Sequence, residues 1–139
     1  LNMKKIKKIS SFASLIMIVI ILSSCSFTTA NFSDVAISSG MDGFTPVNVT
    51  NKFNVSSPAF YVSGNINNAP DGTVIAAVWY YTEEDPDYLI DSSQYEVEDG
   101  VNTFYFTLSI PDNGWPLGTY AVDLMIDGEV VKTLSFTVE

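Results

Sequence analysis

Apolar and polar positions alternate along most of the chain beyond residue 45, with the period of two that sends successive side chains to opposite faces of a strand. Val47, Val49, Phe53 and Val55 predict a first strand, ended by Pro58. Phe60, Val62 and Ile66 share one face of a second, and the turn-forming run from Asn65 to Gly72 closes it. Residues 73–81 are apolar on both faces, as a central strand is, with Ile75, Ala77, Trp79 and Tyr81 assigned inward. Phe104, Phe106, Leu108 and Ile110 alternate with Tyr105, Thr107 and Ser109 until Pro111-Asp112-Asn113-Gly114 breaks the run. Tyr120, Val122, Leu124 and Ile126 mark the next inward set, and Val130, Leu134, Phe136 and Val138 the last. Both sets fall on even numbers. That parity predicts a three-residue hairpin loop with Gly128 in the left-handed region and a bulge, because a two-residue turn would put the second set on the wrong face.

No stretch carries a useful amphipathic helical period and no internal repeat is visible. Short strands at regular turn spacing predict an all-β, antiparallel β-sandwich of about seven strands over residues 34–139. The segment before it is different in kind. Lys4, Lys5, Lys7 and Lys8 precede an apolar run from Phe12 to Leu22, followed by Ser23, Ser24 and the chain's single cysteine, Cys25. The run from Ile9 to Leu22 is shorter than the ~20 apolar residues a membrane-spanning helix needs. Leu22-Ser23-Ser24-Cys25 is similar to the lipobox of bacterial lipoprotein signal peptides. The resemblance implies cleavage of residues 1–24 and lipidation of Cys25, with a short tether over residues 25–33. It also implies an exported protein held at the outer face of the cell membrane, or at an outer membrane where the cell has one. Two or more acyl chains exceed the marginal hold of one, so palmitate-type anchoring at Cys25 is expected to be stable.

Charge and missing residue types narrow the function. Removing residues 1–24 from the 139 leaves 115, and these hold all 16 acidic residues but only Lys52 and Lys132, a side-chain charge of −14. With no arginine and so few cations, the domain is not expected to bind nucleic acid. The chain has no histidine, which removes Ser-His-Asp and Cys-His catalysis and His/Cys zinc sites. Asp123 and Asp127 lie four residues apart on one strand, roughly 13 Å at ~3.3 Å per residue. A glycosidase pair needs about 5 to 9.5 Å. The expectation is a protein that is not an enzyme.

Trp79 in the third strand and Gly118-x-Tyr120 opening the next-to-last look like immunoglobulin-like domains. There a strand-C tryptophan fills the core and a tyrosine makes a corner. Both sheet-bridging cysteines of antibody-type domains are absent. In such a sheet Val74, Ala76, Val78 and Tyr80 face outward beside Ala121, Met125 and Val131, forming an apolar interface rimmed by Asp123 and Asp127. The alternatives are that the segment around Phe44 covers this face, or that the inward and outward assignments are reversed. Trp115, Tyr88 and Tyr95, read as lying in or beside loops, suit a glycan-binding surface, against which Trp115 is weighed as a plug closing the sandwich. Glu83, Glu84, Asp85, Asp87 and Asp91 form the densest acidic stretch. They are either weak calcium ligands or a solvated hairpin tip. The expected function is a membrane-anchored, non-enzymatic module binding an envelope protein, with calcium-assisted glycan binding as the alternative and no other cofactor.

Overall fold

The computed structural model describes residues 29–139. The lipobox and Cys25 lie outside them. The described residues form nine strands: β1 (Asn31–Asp42), β2 (Thr45–Val49), β3 (Lys52–Phe53), β4 (Ala59–Asn67), β5 (Val74–Tyr81), β6 (Tyr88–Glu96), β7 (Thr103–Ser109), β8 (Gly118–Ile126) and β9 (Glu129–Val138). A four-stranded sheet in the order β2-β1-β4-β7 packs on a five-stranded sheet in the order β3-β9-β8-β5-β6. Every pairing is antiparallel except the short parallel contact of β3 with the end of β9. This is the expected all-β, immunoglobulin-like sandwich, with nine strands in place of about seven.

The difference lies in three places. β1 begins at Asn31, inside the segment read as tether, and pairs along β4 from Asn31↔Asn67. β6 occupies residues read as loop. The single strand expected from Val47 to Val55 is two, β2 and β3, in different sheets. Val47 and Val49 are 48 % and 63 % exposed, so their alternation does not mark a buried face, and Phe53 alone of that set enters the core.

The core is aromatic, and Phe60 is its hub. Its ring lies 4.0 Å from Trp115 in a stacked pair, 4.6 Å from Phe53, 4.7 Å from Phe136 and 5.7 Å from Tyr120. Trp79 is buried against Phe136. Ring pairs of this kind contribute about 0.5–1.5 kcal/mol each beyond the area they bury. The corner expected at Tyr120 is formed: its hydroxyl donates to the Pro116 carbonyl at 2.6 Å. Val122, two residues on, where antibody-type domains carry a bridging cysteine, is fully buried.

The β8–β9 hairpin departs from expectation in an instructive way. Its loop is the two-residue turn Asp127-Gly128, both with positive φ (47° and 84°), which is type I′ geometry. The parity change is made inside the strands instead. Met125 pairs with Val130 but Leu124 with Lys132, leaving Val131 as the extra residue of a bulge. Leu134, Phe136 and Val138 thereby regain the inward face, while Val130 turns out to solvent.

The connections define two poles. Asn31, the 68–73 connection and the Asp127-Gly128 turn gather at one, where the Val74 amide donates to the Asp127 carboxylate at 2.9 Å. Segments 54–58, 82–87 and 110–117 gather at the other, tied by the Trp115 amide to the Val55 carbonyl and the Tyr81 hydroxyl to the Leu117 carbonyl.

Candidate functional site

The central strand β5 builds the first candidate surface. Ile75, Ala77 and Trp79 point into the core and are essentially inaccessible. The intervening Val74, Ala76, Val78 and Tyr80 must then face outward, and all four keep partial exposure. Ala76 lies opposite Met125, Val78 opposite Asp123 and Tyr80 opposite Ala121. Six of the seven residues expected to form this face are thus brought together on it. The seventh, Val131, is the bulge residue, and Val130 is the valine placed beside Met125. Asp123 crosses the face, accepting a 2.7 Å hydrogen bond from the Thr133 hydroxyl. Asp127 sits in the turn rather than on the strand face. On the far side β6 contributes Ser92, Gln94 and Glu96 opposite Val78, Ala76 and Val74.

Phe44 does not cover this surface. It belongs to the β1–β2 hairpin tip and lies edge-on to Tyr105 of β7, 5.6 Å away, on the other sheet. That hairpin shelters the outward side of the four-stranded sheet, where Ser38 and Ser63 are buried although they face away from the core.

The second surface is a cleft of about 370 Å³ at the pole opposite Asn31, lined by Tyr81, Glu84, Tyr88, Ile90, Pro111, Trp115, Pro116 and Tyr120. Here the aromatic residues separate by role. Trp115 is 4 % exposed, stacked on Phe60, and its indole N–H donates to the Ser57 carbonyl at 2.7 Å. It is the plug, and no indole face is left for a sugar ring. Tyr88 stands beside the 82–87 connection, opening β6 opposite Tyr81, 58 % exposed. Tyr95 also lies in β6, opposite Ile75, with its ring 5.4 Å from Phe106 at the margin of the sandwich. Burial, and then the neighbouring Tyr105, push its hydroxyl up to about 12. The three residues proposed for glycan stacking therefore do not form one platform.

The acidic stretch is the tip of the β5–β6 hairpin. Glu83 folds back and accepts from the Thr119 amide at 2.9 Å, lying so close to Gly118 that a Cβ there would meet its Cγ at 2.6 Å. Asp91 accepts from the amide of Ser92 beside the bulge in β6. Glu84 turns to the cleft. Among the described residues no three carboxylates converge on a metal site, so Glu83, Glu84, Asp85, Asp87 and Asp91 are not gathered as calcium ligands. Nor is any described helix long and apolar enough to cross a membrane.

No family model matches the chain, and no curated protein does. Solved structures match it in shape. An alkylpurine DNA glycosylase of Pseudomonas fluorescens, bound to DNA containing an abasic site analog, aligns with a TM-score of 0.57 at 11% identity, over 81% of this chain and 31% of the glycosylase. A β-glucosidase of Listeria innocua in complex with glucose aligns at 0.47 and 15% identity, over 78% of this chain and 15% of the enzyme. The CARDB domain of a Pyrococcus furiosus protein, in complex with di-metal ions, aligns at 0.43 and 13%, covering 82% of this chain and 97% of that domain. This chain spans less than a third of the first two proteins. At such identities the likeness is one of fold, carried by the glycosylase match.

Proposed function

We propose that the protein is a lipid-anchored interaction module of the bacterial envelope that docks a protein partner on the outer face of its five-stranded sheet. The observation that carries the reading is the run of four apolar outward residues on β5, flanked by Ala121 and Met125 and left partly open to solvent. Polar outward residues would satisfy the sheet equally well, and a partner surface is where apolar ones are retained. The lipobox-like Leu22-Ser23-Ser24-Cys25 supports export and anchoring. The absence of histidine from the sequence supports a non-enzymatic role.

The test is in-cell photo-crosslinking from position 80 in a Tyr80→benzoylphenylalanine variant, together with labelling by an alkyne fatty acid. A discrete protein adduct, with label lost in Cys25→Ser, is the expected result. Normal export and labelling with no protein adduct would sink the sheet-face reading, and an unlabelled Cys25 would sink the anchor.

A further inference from the structure

We infer that the cleft between the β5–β6 hairpin tip and the 110–117 segment receives a basic side chain, lysine or arginine, presented by the protein partner. The chemistry of its walls selects the ligand. Tyr81 and Tyr120 donate their hydroxyl protons to the Leu117 and Pro116 carbonyls, and Trp115 gives its indole N–H to Ser57. Three of the four aromatic linings thus turn their polar ends inward to the protein. Glu84 and the Tyr88 hydroxyl are what the lining offers to a ligand.

A sugar fits this poorly. Each of its hydroxyls needs a partner on leaving water, and an unpaired one costs roughly 1–3 kcal/mol. A cation on an apolar stem fits well. Its methylenes contact Ile90, Pro111 and Pro116, its charge meets the Glu84 carboxylate, and the exposed Tyr88 ring adds cation–π attraction. Anions are repelled by Glu84 and by the −14 charge of residues 25–139, which instead draws basic partners. The partner being a protein rests on the sheet-face reading. Tyr80 and Tyr81 point to opposite sides of the sheet, and the two surfaces meet around its β6 edge, where the exposed Leu89 and Tyr88 pair with them.

The experiment is a titration of the isotope-labelled full chain in detergent micelles with acetyl-Gly-Arg-Gly-amide, following the indole N–H resonances of Trp115 and Trp79 by NMR. Saturable movement of the Trp115 resonance with Trp79 unmoved is expected. Glu84→Gln and Tyr88→Ala, both exposed and outside the core, should each weaken binding about fivefold. The same peptide with neutral citrulline, and cellobiose, should leave Trp115 in place. Equal response to citrulline or to cellobiose, or unchanged affinity in Glu84→Gln, overturns the inference. Because the readout is Trp115 and not a Tyr80 adduct, its failure is separable from failure of the sheet-face interface.

Discussion

At the scale of single residues, the corner of Tyr120 and the contact of Gly118 with Glu83 fix the entry into β8. Tyr120→Phe keeps the ring in its place against Phe60 and Phe136 but strands the Pro116 carbonyl. It should cost about 1–2 kcal/mol in urea unfolding; an unchanged midpoint would mean the corner is ornamental. Gly118 has φ 133° and no room for a Cβ beside Glu83. Gly118→Ala should lose more than about 1 kcal/mol. Part of that loss comes from collision with Glu83, so Glu83→Ala should be less harmful in the Gly118→Ala background than alone. A double-mutant cycle measures this, and simple additivity would refute it.

At the scale of elements, the strands that alternation revealed most plainly are those that carry no extra bulge residue themselves: β4, β5, β7 and β8. Where a bulge intervenes, alternation misleads. Phe32 and Ile37 both face the core from β1, yet they are five positions apart. The irregularity between Ser33 and Ala36, with Asp34 at φ 52°, absorbs the odd residue and hides the strand from a period-two reading. β6 was illegible for another reason. As an edge strand it buries little, and Asp91, Ser92, Ser93 and Gln94 carry no hydrophobic signal. In the β8–β9 hairpin parity rightly demanded an extra residue but was read as placing it in the loop, whereas the protein uses Val131 of β9. Deleting Val131 should therefore remove the bulge and lower the melting temperature only slightly, because the regular two-residue hairpin still pairs Val122 with Leu134 and keeps Leu134, Phe136 and Val138 inward. Deleting Val131 and Lys132 together should instead lower it severely, since Leu134, Phe136 and Val138 would then exchange faces. Equal melting temperatures for the two variants would show that parity does not govern this hairpin.

At the scale of the whole molecule, the outward face of β5 could be read from the sequence, because a strand apolar on both sides declares itself. The cleft could not, since it joins residues from β5, the hairpin tip and the 110–117 segment, which only the folded chain brings together. The aromatic core also sets an alkaline limit. Burial first, and Tyr81 second, raise the Tyr120 hydroxyl to about 12, as burial and Tyr105 do for Tyr95. Unfolded tyrosines lose their proton near ~10. Below that pH the contribution of these groups is intact. Between about 10 and 12 the unfolded state sheds protons that the folded state keeps, so stability falls as pH rises. Urea midpoints at successive alkaline pH values should decline across that window, and less steeply in Tyr120→Phe. The pole geometry has a mechanical meaning as well. A pull on the chain before Asn31, resisted by a partner held at the cleft, runs along the axis of β1. Its hydrogen bonds to β4 lie across that axis and share the load together rather than opening one by one. Tension therefore meets this domain in shear, the direction in which a paired strand yields last.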